Sequence, residues 1–213
     1  IQGEGGIRPV PDQCLKGLRD ACDETGALLV FDEVQCGMGR TGKLFAHEWA
    51  GISPDVMMVA KGIGGGFPLG AVLATEAAAA GMTVGTHGST CGGNPLAMAV
   101  GQQVMEIVTA PGFLDEVTRK AGHLRQGLEG LVAVYPEVFA DVRGAGLMLG
   151  LVCQPDVVNL DLVKAGHRHN ILMVPAADNV VRLLPALTIT DDDITLGLER
   201  LDAAVRDAKG AGG

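Results

Sequence analysis

Three short apolar runs constrain this chain more than any other feature of it. Ala27-Leu28-Leu29-Val30-Phe31, Val56-Met57-Met58-Val59-Ala60 and Gly70-Ala71-Val72-Leu73-Ala74-Thr75 each have strand length, and none alternates apolar with polar. Unbroken apolar runs of this kind suit strands covered on both faces, as in a mostly parallel α/β sheet. Helical patterns lie between and after them. Pro11-Asp12 opens one in which Cys14, Leu15, Leu18, Ala21 and Cys22 recur at helical spacing, and Gly26 ends it. Asn94-Pro95 opens a second, running to Thr109, and the alanines at 77–80 read as part of another helix. Residues 113–134 form a long amphipathic stretch with Leu114, Val117, Ala121, Leu124, Leu128 and Leu131 on one side. Tyr135-Pro136 ends it.

The remainder reads as a separate small α/β unit. Residues 138–142 and 146–152 are expected as strands joined by Arg143-Gly144-Ala145, and residues 161–166 as a helix. Residues 172–174 and 180–184 are expected to pair as strands around Asp178-Asn179. Thr190, followed by three aspartates, caps a last helix to Ala208. A frayed tail is expected over 210–213. The pattern divides the chain near 110–135, into residues 1–115 and 116–213. Hydrophobic residues make up 47% of the chain but aromatic ones only 3%, so the core must be built from Ala, Val, Leu and Ile.

Net charge and cysteine usage exclude several roles. The chain carries −9 formal charges, which disfavours binding to nucleic-acid phosphates. No basic run suggests a membrane surface, and the longest apolar stretch, residues 144–153, falls well short of the about 20 residues a bilayer requires. The five cysteines are odd in number and form no CxxC pair, which favours free thiols in a reducing, cytoplasmic compartment. The opening Ile1-Gln2-Gly3-Glu4-Gly5-Gly6 has no initiating Met and no signal peptide, and reads as an internal cut in a longer protein.

Two of the strand-like runs end in opposite charges, Asp32 and Lys61. In open α/β sheets, ligands bind at the carboxyl ends of strands. A carboxylate there can keep a ring nitrogen protonated, and a lysine there can be desolvated toward its nucleophilic form. Charged residues also finish strands simply because the chain is leaving the core, so the pair alone leaves both readings open. Glycine-rich Gly62-Ile63-Gly64-Gly65-Gly66-Phe67-Pro68 follows Lys61, a run that lets backbone approach a ligand and gives the lysine room. Thr86-His87-Gly88-Ser89-Thr90-Cys91-Gly92-Gly93-Asn94-Pro95 offers hydroxyls and N–H groups just before a helix. This suits an anion such as phosphate, or an ordinary helix cap.

Taken together, these segments resemble class III aminotransferases, enzymes dependent on pyridoxal 5'-phosphate (PLP). Phe31-Asp32-Glu33-Val34-Gln35-Cys36-Gly37-Met38-Gly39-Arg40-Thr41-Gly42 is similar to their cofactor strand and loop. Ala60-Lys61-Gly62-Ile63-Gly64-Gly65-Gly66-Phe67-Pro68 is similar to their lysine segment. His87-Gly88-Ser89-Thr90 through Asn94-Pro95-Leu96-Ala97 is similar to their phosphate segment. The three occur in the family's order, Asp32, Lys61 and Thr90 are evenly spaced, and the likeness runs from Gln2 to the last helix.

The resemblance implies an α/β fold of the PLP fold type I, aspartate-aminotransferase-like class. Residues 1–115 would be the second half of the large PLP domain with the start of a connecting helix. Residues 116–213 would be that helix and the small C-terminal domain. Lys61 would be the Schiff-base lysine and proton shuttle. Asp32 would pair with the pyridine nitrogen, Val34, two residues on and so on the same strand face, would pack on the ring, and Gln35 would contact the ring hydroxyl region. Thr90 would hold the cofactor phosphate across a homodimer interface, with Ser89 beside the substrate. Arg182 resembles the substrate-carboxylate arginine, and Glu4 the glutamate that pairs with it in enzymes taking ω-amino groups.

The implied reaction moves the ω-amino group of N-acetylornithine to 2-oxoglutarate, in arginine biosynthesis. Ornithine, succinyldiaminopimelate, succinylornithine and 4-aminobutyrate are rival amino donors. Cys91 departs from the family, which often carries an aromatic there. The family's glycine/serine/threonine phosphate cup, ring-stacking aromatic and second carboxylate-binding arginine are not in this chain. The isolated chain is therefore expected to be weak or inactive, and a fragment that only dimerises is the alternative of another class. A dinucleotide-binding module fits worse, because no GxGxxG follows the first strand. His167 and His169 read as solvated surface in preference to a metal pair, and His47 as loop packing.

Overall fold

The computed structural model describes residues 1–210, so the glycine tail expected to fray lies partly outside the described residues. The described chain forms two compact units: residues 10–114, and a second made of residues 115–210 together with the first nine residues. The sequence pattern places those nine residues in the first part. A glycine-rich opening reads as loose loop, but the second unit captures it.

In the first unit, α1 (Asp12–Thr25) ends where Gly26 turns left-handed. It is tied to the sheet by Asp55, which takes Arg19 Nη1 at 2.8 Å and the N–H of Leu29 at 2.7 Å. Three strands follow: β1 (Val30–Asp32), β2 (Val56–Val59) and β3 (Ala71–Ala74). β1 and β2 run parallel, with Asp32 opposite Met58, whereas β2 and β3 are antiparallel, so the sheet is mixed and not mostly parallel. Thr75 caps the short α2 (Glu76–Ala79) through the N–H of Ala78. Asn94 caps α3 (Pro95–Val108), its Oδ1 accepting the N–H of Ala97 at 2.9 Å.

The expectation that all three strands are covered on both faces does not hold. Met57 and Val59 are buried with Met38, and Phe45, Ile63, Val104 and Met105 pack against them. Yet Val30, Met58, Val72 and Leu73 remain exposed, Val72 at 70%. Apolar side chains on both faces record what a strand can bury, not what this length of chain supplies to bury it.

The second unit is built on α4 (Phe113–Val134), whose buried positions Val117, Ala121, Leu124, Leu128 and Leu131 follow the predicted stripe. Four antiparallel strands follow, in the order β4-β5-β7-β6: β4 (Phe139–Ala145), β5 (Met148–Cys153), β6 (Val174–Ala176) and β7 (Val180–Leu183). The β4–β5 turn lies at Gly146-Leu147 and not at Arg143-Gly144-Ala145, which continue β4. Gly144 is required there by space: a Cβ on it would lie 2.0 Å from the carbonyl oxygen of Met148. α5 (Asn159–Arg168) intervenes before β6, and α6 (Asp191–Gly210) closes the unit. Thr190 Oγ1 accepts the N–H of Asp193 at 3.1 Å as its cap. No helix among the described residues is long and apolar enough to cross a membrane.

Candidate functional site

β1 and β2 point the same way, and each leaves the sheet at a charged residue. β1 ends on Asp32. Two residues past the end of β2, Lys61 opens a single 3-10 turn, Lys61–Gly64. The two side chains are therefore brought to the same end of neighbouring parallel strands, and both are exposed. Lys61 has φ +49, a left-handed conformation uncommon outside glycine, and such strain concentrates at functional positions.

The residues after Asp32 leave the strand at once. Val34 lies in a turn, so it does not share a strand face with Asp32. Its N–H instead donates to Asp32 Oδ1 at 2.9 Å, closing a local turn that orients the carboxylate. Gln35 is half-buried beside it.

Two of the glycines following Lys61 are also required by packing within the protein. A Cβ on Gly62 would sit 3.0 Å from Met38 Cβ, and one on Gly65 would sit 2.9 Å from Val104 Cγ2. At these two positions protein packs against the run, from the loop after β1 and from α3. That packing fixes where the backbone of Lys61 leaves the sheet.

The residue after Asp32 has a role that no sequence motif signals. Glu33 is 3% exposed. Its carboxylate accepts the N–H groups of Ala46 at 3.0 Å and His47 at 2.9 Å, with His47 Nδ1 at 3.1 Å from the same oxygen as the latter. Cys36 Sγ lies 3.2 Å from its other oxygen. Burial first, and then this carboxylate, push the Cys36 thiol up to about 11. His47 is thus part of a buried polar cluster, where the sequence suggested plain loop packing.

Ser89 and Thr90 lie in a fully exposed segment leading to the Asn94 cap. Ser89 Oγ accepts the N–H of Gly92 at 2.9 Å, a local turn. Thr90 makes no hydrogen bond to Asp32 or Lys61 among the described residues. Cys91, at the position that departs from the family pattern, is exposed too.

Glu4 and Arg182 belong to the second unit and meet there. Arg182 Nη1 donates to Glu4 Oε1 at 2.9 Å. The Arg182 side chain is 10% exposed and that of Glu4 75%. Arg182 Nε is buried, with no hydrogen-bond partner among the described residues. The cation is therefore fixed in the sheet while its anion reaches in from the surface. His167 is exposed, and His169 Nε2 lies 3.3 Å from Asp207, which also takes Arg168 Nε at 2.8 Å. No cluster of metal-binding side chains occurs among the described residues.

The model of the family "Aminotransferase class-III" matches residues 1–205. The chain belongs to that family. It is 71% identical over 204 residues to an acetylornithine aminotransferase of Rhodobacter capsulatus, covering 96% of this chain and 51% of that protein. It is 58% identical to the acetylornithine aminotransferase of Mesorhizobium japonicum, with 97% and 51% covered. The crystal structure of N-acetylornithine aminotransferase from Stenotrophomonas maltophilia superposes with a TM-score of 0.89 at 39% identity, over 99% of this chain and 56% of that one. An ornithine aminotransferase structure from Toxoplasma gondii, described as having partial occupancy of PLP at its active site, superposes with a TM-score of 0.92 at 30% identity, over 99% and 50%. The α/β fold expected from the resemblance is thus that of the PLP-dependent aminotransferases. The chain spans about half the length of the curated relatives it matches.

Proposed function

We propose that this chain carries the lysine-bearing part of an N-acetylornithine aminotransferase, which passes the ω-amino group of its donor to 2-oxoglutarate. The observation that carries the reading is the pairing of Asp32 and Lys61 at the same end of adjacent parallel strands, in a chain 71% identical to a relative with that name. The residues present fit PLP. An exposed lysine and an exposed carboxylate already oriented by a backbone N–H are the amine and the anion that a pyridine aldehyde requires.

Bound PLP supplies the electron sink that lets the carbon bearing the transferred nitrogen lose a proton. The chain's own residues do the rest. Lys61 anchors the cofactor and moves the proton at the substrate carbon. Asp32 keeps the ring nitrogen protonated, Val34 packs on the ring, and Gln35 meets its hydroxyl side. Thr90 holds the phosphate of the other site in a homodimer, and Ser89 lies beside the substrate. Arg182 grips a substrate carboxylate through the planar fork suited to it. Glu4 occupies that arginine when the donor end is uncharged. The free thiols suit a reducing, cytoplasmic setting.

The test is borohydride reduction of the purified protein with PLP, followed by peptide mapping, together with rates for several amino donors. A reduced adduct on Lys61, lost in Lys61→Ala, and N-acetylornithine as the best donor are expected. No adduct at Lys61, or 4-aminobutyrate far outpacing acetylornithine, refutes the reading. Ornithine is the rival to measure first, because ornithine aminotransferases superpose on the chain as well as acetylornithine aminotransferases do.

A further inference from the structure

Glu4 sits on a closed loop whose hold on the sheet is more elaborate than a mobile segment requires. Gln2 and Arg8 exchange two backbone hydrogen bonds, each 3.0 Å, and the carbonyl oxygen of Gly3 takes the N–H groups of Gly6 and Ile7. The loop between them is thereby tied to itself. It is tied to the rest of the second unit at three further points.

The first tie is Ile7, which is completely buried. It fills a hollow made by two glycines on β4 and β5. A Cβ on Gly144 would lie 2.9 Å from Ile7 Cγ2, and one on Gly150 would lie 3.1 Å from Ile7 Cγ1. Gly150 is also the residue paired with Arg182 across β5 and β7. The missing side chain beside Arg182 is therefore what admits Ile7. The second tie is the N–H of Ala177, which donates to the carbonyl oxygen of Glu4 itself at 3.0 Å. The third is Asp178, in the β6–β7 turn. It pairs with Arg8 from the loop and, at 2.9 Å, with Arg143 from β4. Asp178 and Asn179 both have left-handed φ, so the turn presents the Asp178 carboxylate from a fixed backbone.

We infer that Ile7 and Asp178 are positioning residues for selectivity: they hold the loop so that Glu4 reaches Arg182, and they set how readily a substrate carboxylate displaces it. With the Glu4 backbone pinned at its own carbonyl, exchange at Arg182 is a rotation of the Glu4 side chain and not a movement of the loop. A loosened loop leaves Arg182 engaged less of the time. A dicarboxylate then competes better, while a donor with an uncharged end gains nothing. The inference rests on the proposed role of the Glu4–Arg182 pair.

The experiment measures kcat/KM in the intact enzyme carrying this chain, for 2-oxoglutarate and for the ω-amino donor. A parallel measurement takes glutarate affinity by calorimetry. Variants are Glu4→Ala, Ile7→Ala, Ile7→Val, Asp178→Asn and the double variant Glu4→Ala/Ile7→Ala. The ratio of dicarboxylate to donor specificity should rise several-fold in Glu4→Ala. It should rise at least threefold in Ile7→Ala and Asp178→Asn, and return toward the parent value in Ile7→Val. Glutarate should bind tighter by the same factors. In the Glu4→Ala background, Ile7→Ala should have no further effect on the ratio, because it acts through Glu4. A loss of stability without a positioning role lowers both specificities together and leaves the ratio unmoved. If Ile7→Ala fails to fold, half-exposed Asp178 carries the test alone. A changed ratio in Glu4→Ala with parent ratios in Ile7→Ala and Asp178→Asn overturns the positioning proposal. An unchanged ratio in Glu4→Ala overturns instead the reading of the pair on which it rests.

Discussion

Replacing Glu33 with alanine should loosen the whole loop that follows β1. The carboxylate is 3% exposed and is the acceptor for two backbone N–H groups, those of Ala46 and His47, at 3.0 and 2.9 Å. Hydrogen bonds to a charged group contribute roughly 1.5–3 kcal/mol each, and a buried donor left without an acceptor costs about 1–3 kcal/mol. The donors lie on a half-buried loop, so water can recover part of the loss. We expect Glu33→Ala to destabilise the first unit by about 2–4 kcal/mol. Glu33→Gln keeps the shape and one acceptor oxygen but turns an NH2 toward donors, and should cost about 1–2 kcal/mol.

The chain offers its own probe for this. Its single tryptophan, Trp49, lies two residues beyond His47 and donates from Nε1 toward Thr41 Oγ1 at 3.2 Å. Urea unfolding followed by Trp49 fluorescence reports on the segment that Glu33 holds. A change in stability below about 0.5 kcal/mol for Glu33→Ala, within the range of ordinary surface substitutions, refutes the claim that this carboxylate organises the loop.

Three other outcomes follow from the packing. Burial pushes the Cys153 thiol up to about 12, and burial with Glu33 pushes Cys36 to about 11, both from an ordinary value of 9.0. A raised pKa favours the protonated folded form, so this stability is full below about pH 9 and is lost as pH rises through 11 and 12. Cys36→Ala/Cys153→Ala should flatten the alkaline fall in stability, and parallel curves between pH 8 and 11 count against it. Leu128 is completely buried in α4. Leu128→Ala should cost about 2–5 kcal/mol in urea unfolding followed by far-ultraviolet circular dichroism, and a cost under about 1 kcal/mol means the site collapses freely. Gly144→Ala combines φ +110 with a Cβ 2.0 Å from the Met148 carbonyl. It should cost roughly 3 kcal/mol or more, and a fully stable variant would show that the β4–β5 hairpin relaxes around it.

What could be read from the sequence divides along physical lines. Helix ends announce themselves through local chemistry: Asn94 and Thr190 cap the helices they were expected to cap, and Gly26 ends α1 in the left-handed conformation. The placement of Asp32 and Lys61 at strand ends was legible for the same reason, since an apolar run that stops at a charge marks where a strand leaves the core. Pairing direction is not local, and the antiparallel β3 has no signature in its four residues. Glycine commonly marks a turn, whereas the constraint on Gly144 is a carbonyl from the neighbouring strand. Glu33 was invisible because its partners are backbone N–H groups on a later loop, which any residue type there would supply.

The pair of Glu4 and Arg182 shows the same limit at its extreme, because the two residues lie at opposite ends of the chain and no periodicity links them. Resemblance suggested the pair; the geometry adds an asymmetry that resemblance did not contain. Arg182 is walled into β7 with a buried Nε, so moving it would leave a cation without solvent or partner. Glu4, by contrast, is three-quarters exposed. Of the two, the glutamate faces water and the arginine is held by the sheet.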